Sequence, residues 1–175
     1  MTFTMKRASA FTLTELLIVV AIISILSVIA TPNLGKMLAR QKQESLQQRF
    51  VDISSLARLA AIQNVSASVI CGSSDGQQCN QEKVWTGRVL AFLDRDGDHQ
   101  WSEGDQLLHQ TLLGDGQISG TRSRIEFNQS GAGYMGSWLY CPYLHQNDRN
   151  GFRLILSLGG RLRTELASNA CATRA

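Results

Sequence analysis

The stretch from Lys6 to Pro32 constrains this chain more than any other. Lys6 and Arg7 come first, then a short neutral spacer, Ala8-Ser9-Ala10. Phe11 to Ala30 spans 20 residues, and from Leu16 onward only Ser24 and Ser27 are not apolar. That is about the length a helix needs to cross the hydrocarbon core of a bilayer. The basic pair ahead of it sets the orientation expected of such a segment: the first ten residues stay cytoplasmic and everything after Pro32 is exported. A secretory signal peptide fits less well. The apolar run is longer than a usual h-region, and no small-x-small cleavage site stands at its far end, where a helical pattern continues. Glu15 is the sharper clue. A carboxylate near the end of a membrane segment costs about 2.5–3.5 kcal/mol even on a lenient insertion scale, so it needs a partner. A free α-amino group on Phe11, four residues back, supplies one if the chain is cut between Ala10 and Phe11.

Phe11-Thr12-Leu13-Thr14-Glu15, with its basic leader and apolar continuation, resembles the class III signal of type IV pilins and type II secretion pseudopilins. The resemblance implies cleavage by a prepilin peptidase between Ala10 and Phe11 and N-methylation of Phe11. It implies that Glu15 neutralises the amino terminus of an adjoining subunit and sets the stagger of assembly. Pro32 falls where many pilins carry a helix-bending proline. Ala10 is the departure, since the family normally has Gly before the cut; Ala is the next smallest side chain, and cleavage is expected to survive the change.

Beyond Pro32 the helical pattern persists. Leu34, Met37, Leu38, Leu46, Phe50, Ile53, Leu56 or Ala57, and Ala60 follow i, i+3, i+4 spacing, and Lys36, Arg40, Lys42, Glu44 and Arg49 mark a solvated face. One helix is expected from about Phe11 to Gln63, bent at Pro32 and capped by Asn64. Everything later reads as strands: Val65–Cys71, Val84–Leu93, Gln106–Leu113, Ser123–Asn128, Gly133–Tyr140, Phe152–Leu158 and Arg161–Leu166. The organisation expected is a leader over 1–10, a membrane or filament-core helix half over 11–31, an amphipathic half over 32–64 and a globular β domain over 65–175. The fold class is α+β, the type IV pilin fold, with a long N-terminal helix packed on an antiparallel β-sheet domain of two small sheets.

The 175 residues carry a formal net charge of +3 that hides an asymmetry. Residues 71–120 hold Lys83, Arg88 and Arg95 against eight acids, net −5, whereas 121–175 hold seven arginines against Glu126, Asp148 and Glu165, net +4. Four cysteines beyond an export segment face an oxidising compartment, and three pairings are possible. The short, turn-rich spacing favours Cys71 with Cys79, leaving Cys141 to tie the tail through Cys171. A four-cysteine zinc site is disfavoured, because no C-x-x-C pair exists.

Asp94, Asp96, Asp98 and Asp105 occupy positions 1, 3, 5 and 12 of a calcium-type loop. However, His99 stands where the sharp-turn Gly belongs, and the last ligand is a short Asp, so a turn-rich hairpin loop is the preferred reading and no metal is assigned. No enzyme and no cofactor are indicated. His99, His109 and His145 are scattered, and neither G-x-S-x-G nor a phosphate-cradling glycine loop occurs.

The C-terminal hairpin turns at Gly159-Gly160. A three-residue loop over 158–160 pairs 157 with 161, 155 with 163 and 153 with 165. This register turns Leu154, Leu156, Leu162 and Leu166 to the core and Arg153, Ser157, Arg161, Arg163 and Glu165 outward, leaving only Ile155 misplaced. Arg153 and Glu165 are then expected to form a cross-strand ion pair, with Arg161 and Arg163 unpaired near the tip. Two arginines at i, i+2 suit successive phosphates.

The strand-rich part resembles the GspH/FimT subfamily of minor pilins, and Gly160-Arg161-Leu162-Arg163 resembles the G-R-x-R element with which FimT-type minor pilins bind DNA in natural transformation. Arg122, Arg124, Arg149 and Arg174 are candidates to extend the patch. The resemblance implies a tip-proximal minor pilin stored in the inner membrane, with its globular domain periplasmic, and then assembled into an extracellular pilus. Its expected partners are major and minor pilins, prepilin peptidase and double-stranded DNA. The alternative is a minor pseudopilin of a type II secretion system, a scaffold without nucleic acid; a tip adhesin is a third class, for which the sequence offers no pocket.

Overall fold

A computed structural model describes residues 12–143 and 151–171, excepting the side chains of 28–33 and 36. Helix α1 runs over Leu13–Asn64. Its start is explained locally. Thr12 Oγ1 accepts the N–H of Glu15 at 3.3 Å, the arrangement a Thr-x-x-Glu capping box provides at an N-terminus. The chain divides into two compact units, residues up to Lys42 and from Gln43 onward.

In the first unit the apolar side chains are exposed, Leu16, Leu17 and Ile18 among them. Ser24 Oγ donates to the carbonyl oxygens of Val20 (2.9 Å) and Ala21 (2.8 Å), and Ser27 Oγ to that of Ile23 (2.8 Å). The polar groups of the run are thus satisfied within the helix itself. Among the described residues no helix is long and apolar enough to cross a membrane. The described side chains of the apolar run stop at Ser27, short of the roughly 20 residues a span requires.

In the second unit α1 presents Leu46, Phe50, Ile53, Ala57, Ala60 and Ala61 as its buried stripe, so Ala57 rather than the exposed Leu56 continues the pattern. The helix ends in a Schellman-type turn: the N–H of Ser66 bonds to the carbonyl of Ala61, and Val65, not a glycine, takes the left-handed position with φ 51°.

Nine strands follow: β1 (Ala67–Ser73), β2 (Val84–Trp85), β3 (Arg88–Asp94), β4 (Gln106–Leu112), β5 (Gly116–Gly120), β6 (Arg124–Phe127), β7 (Gly136–Pro142), β8 (Gly151–Leu156) and β9 (Leu162–Ala167). They form a four-stranded sheet, β4-β3-β1-β6, and a five-stranded sheet, β2-β5-β7-β8-β9, all pairings antiparallel. The α+β class and the two sheets agree with expectation. Two details differ. The expected strand Val84–Leu93 is two strands in different sheets, because the chain turns at Gly87 with φ 78°. And β5 carries no strand signal in the sequence, since a Gly-Gln-Ile-Ser-Gly segment has only one large apolar residue.

One core joins the stripe of α1 to both sheets. It includes Ile70 and Phe127 from the first sheet and Trp138, Phe152 and Leu154 from the second, with Phe50 and Phe152 at a ring separation of 6.4 Å. A smaller cluster covers the other face of the four-stranded sheet, where Trp101 lies 6.0 Å from Phe92 beside Cys71 and Cys79. Disulfides join Cys71 to Cys79 and Cys141 to Cys171.

The acidic loop between β3 and β4 is closed by its own backbone. Asp105 accepts the N–H groups of Arg95 (2.9 Å) and Ser102 (2.9 Å), and Asp94 those of Gly97 (2.8 Å) and His99 (3.2 Å). Burial raises the Asp94 carboxyl above its ordinary value against the pull of the Gly97 N–H. Oxygens of Asp94, Asp96 and Asp98 lie within 4.8 Å of one another. These are the roles expected of Asp in a long hairpin turn.

Candidate nucleic-acid interface

The β8–β9 hairpin pairs Arg153 with Glu165, Ile155 with Arg163 and Leu156 with Leu162, and Ser157 N–H bonds to the carbonyl of Arg161 at 3.1 Å. This is the register the alternation of the two strands selects. Leu154 and Leu156 are buried, Leu162 packs against the core, and Arg153, Arg161 and Arg163 are exposed.

Leu166 departs from expectation. It lies opposite buried Phe152, on the core side of the sheet, yet is 74% exposed, because β9 is the edge strand and nothing among the described residues covers its end. The ion pairing departs as well. Glu165 reaches along its own strand to Arg163 (Nη2 to Oε1, 3.5 Å) rather than across to Arg153. So Arg163 is not unpaired, and Arg153 has no ion pair among the described residues. Both members of the Arg163–Glu165 pair are more than half exposed, so the contact is weak and readily exchanged.

The tip of the hairpin is held against the β6–β7 loop. Gly133 N–H bonds to the carbonyl of Leu158 (3.0 Å), and Arg58 of α1 donates through Nε to the carbonyl of Gly131 (2.9 Å). Gly160 has φ 74°, and a Cβ there would overlap the Gly131 carbonyl oxygen, so only glycine fits both the conformation and the approach. In the G-R-x-R stretch the glycine therefore shapes the tip, while Arg161, just ahead of β9, and Arg163, within it, are exposed and about 7 Å apart along the extended chain.

A second basic group lies beyond the far end of this sheet. Ile155 pairs with Ser137 as well as with Arg163, Thr121 N–H bonds to the Ser137 carbonyl (2.9 Å), and Gly120 N–H bonds to that of Lys83 (2.7 Å). Thr121, Ser137, Ile155 and Arg163 thus form one row across four strands, about 14 Å wide at the usual strand spacing. Just beyond its Thr121 end opens a cleft of about 560 Å³ lined by Lys83, Arg122, Arg124, Glu126, Tyr134 and Met135 among others. Arg122 is oriented by its Nε bond to the Met135 carbonyl (2.9 Å), and Arg124 is neutralised by Glu126 (3.1 Å). No sequence motif marks Lys83, Tyr134, Met135 or Arg58. Lys83, Tyr134 and Met135 come from segments far apart in the chain and meet at this cleft, and Arg58 reaches the hairpin tip from α1.

The remaining sequence candidates fall elsewhere. Glu15 is exposed in the first turn of α1, and Pro32 lies within the span of that helix. Ala10, Phe11, Arg149 and Arg174 lie outside the described residues.

An N-terminal helix packed on two antiparallel sheets, carrying a methylation-type N-terminus, defines a pilin-type subunit; residues 5–31 match the model of the prokaryotic N-terminal methylation motif. The chain belongs to the family described as type II transport protein GspH, whose model matches residues 47–160. Among solved structures, the type IV minor pilin FimU of Pseudomonas aeruginosa superimposes with a TM-score of 0.54 at 15% identity, over 74% of this chain and 92% of that one. A second crystal form of FimU gives 0.52 at 16% identity, over 70% and 91%. The minor pseudopilin EpsH of the Type 2 Secretion System of Vibrio cholerae aligns at 16% identity over 73% of this chain and 98% of that one, with a TM-score of 0.49. No curated protein matches the sequence. The matched families and neighbours are pilin and pseudopilin subunits, which are structural proteins rather than enzymes.

Proposed function

We propose that this chain is a tip-proximal minor type IV pilin whose exposed sheet face captures double-stranded DNA without sequence preference, for uptake in natural transformation. The observation that carries this reading is the register of the β8–β9 hairpin, which turns Arg153, Arg161 and Arg163 to one open face, with the cleft lined by Lys83 and Arg122 beyond the Thr121 end of that sheet. Guanidinium groups so spaced suit phosphates and carry no base readout, so binding is salt-dependent and sequence-independent. Before assembly, prepilin peptidase cuts between Ala10 and Phe11, Phe11 is methylated, and residues 11–31 anchor the subunit in the inner membrane with its globular part periplasmic. In the filament Glu15 meets the amino terminus of a neighbouring pilin, and Pro32 bends the helix.

The description of its family as a type II transport protein favours a second reading, a minor pseudopilin that scaffolds protein export and does not bind DNA. The test is binding of the full chain, in zwitterionic detergent, to a random-sequence duplex. Capture that is lost in Arg161→Gln/Arg163→Gln with the thermal transition retained supports the pilus reading; no binding by the wild type at low salt leaves the pseudopilin.

A further inference from the structure

The cleft beyond the Thr121 end of that row has a composition that a duplex-gripping surface does not need. Lys83 and Arg122 are exposed at its wall, and the pairing of Arg124 with Glu126 leaves those two as its net positive charge. Tyr134 is 46% exposed and Met135 62% exposed, side by side on the loop that joins β6 to β7.

That loop is not slack. Tyr134 N–H bonds to the carbonyl of Glu126 (3.2 Å), Gly133 N–H to that of Leu158 (3.0 Å), and the Met135 carbonyl takes the Arg122 guanidinium (2.9 Å). An aromatic ring and a thioether are thus held open to solvent by a fixed backbone, next to two cations whose remaining donors have no partner among the described residues. A ring presented this way offers a stacking platform, and the cations beside it offer a phosphate seat. The B-form duplex cannot use the platform, because its bases are already stacked on one another. An unpaired nucleotide can.

We infer that this cleft binds single-stranded nucleic acid through one unpaired nucleotide, its base lying on Tyr134 and its phosphate between Lys83 and Arg122. This rests on the reading that the sheet face meets DNA, and it divides the labour: the β8–β9 arginines hold the duplex, and the cleft holds a frayed or single-stranded end. Met135 closes the apolar side, and Arg122 is set at the correct angle by the carbonyl it already holds.

The test uses the full chain in zwitterionic detergent with three probes: a hexamer of oligothymidylate, the same hexamer with abasic deoxyribose at every position, and a blunt duplex. The wild type is expected to bind the thymidine hexamer at least about five-fold more tightly than the abasic one, the fold-change that one stacked base supplies. Tyr134→Ala abolishes that preference and leaves the blunt duplex affinity unchanged, whereas Tyr134→Phe keeps it. Arg122→Gln weakens both hexamers alike. Equal affinity for the two hexamers, or a preference that survives Tyr134→Ala, overturns the inference. If the blunt duplex fails to bind while the thymidine hexamer binds through Tyr134, the duplex-capture reading falls and the cleft stands; if the duplex binds and the hexamers do not differ, the reverse holds.

Discussion

Arg58, on the helix, donates through Nε to the carbonyl oxygen of Gly131, and Gly160 at the hairpin tip packs against that same oxygen. The helix, the β6–β7 loop and the β8–β9 hairpin meet at this single carbonyl. Arg161 follows Gly160 directly, so the direction in which its side chain leaves the surface is set by a contact made on the helix.

Gly160→Ala must place a side chain in the left-handed region and against Gly131. The left-handed cost alone is roughly 1–2 kcal/mol and the overlap adds to it, so a loss of about 2 kcal/mol or more is expected. Arg58→Ala strands the Gly131 carbonyl and is expected to cost about 1–3 kcal/mol. Urea unfolding measures both, and each variant should also weaken duplex binding although neither removes a hairpin arginine.

Val65 holds the left-handed turn at the end of α1 and is 68% exposed. A β-branched residue there costs roughly 1–2 kcal/mol, and the added freedom of glycine in the unfolded chain offsets about 0.5–1 of that. Val65→Gly is therefore expected to stabilise the protein by about 0.5–1 kcal/mol, read as a higher midpoint of thermal unfolding.

The hairpin shows what the amino-acid pattern carries and where it stops. Alternation of Leu154 and Leu156 with Arg153 and the paired Arg163 specifies the register, because a one-residue slip would bury charge. The same alternation assigns Leu166 to the core and is right about the face but not the burial, since burial also depends on what covers an edge strand. The partner of Glu165 differs from the pattern's expectation for a similar reason: two exposed arginines compete for it, and side-chain reach on a solvated face decides. The cleft was the least legible part. Lys83 reaches the cleft only because β2 pairs with β5, and β5, poor in large apolar residues, offers little pattern to read. By contrast the Thr12–Glu15 contact is a local consequence of four residues and gives Glu15 a capping-box position alongside the assembly role proposed for it.

Glu165 both restrains Arg163 and presents a carboxylate to any approaching phosphate. Glu165→Gln is expected to tighten duplex binding by about two- to five-fold, because removing one charge of the wrong sign acts like adding one contact of the right sign. Fluorescence anisotropy at moderate salt checks this, and weaker binding would mean that the Arg163–Glu165 pair positions the arginine instead.

Asp75 accepts the N–H groups of Gln77 and Gln78, which hold its carboxyl below the ordinary value. A depressed folded value contributes stability that is full above the ordinary carboxylate range and disappears as pH falls through the folded value. Asp75→Asn should therefore be less stable than wild type at pH 7, with the gap closing in strong acid. Paired urea titrations at neutral and acid pH would show it, and a gap that widens on acidification would contradict the assignment.

The most direct test of duplex capture is the salt dependence of binding to random-sequence DNA by the wild type and by Arg161→Gln/Arg163→Gln. Each phosphate contact contributes about −0.9 to the slope of log K against log salt, so the double variant should flatten that slope by about two. Its affinity should fall equally on unrelated sequences. A slope that does not change, or a wild-type chain that fails to bind duplex at low salt, would contradict DNA capture by this face.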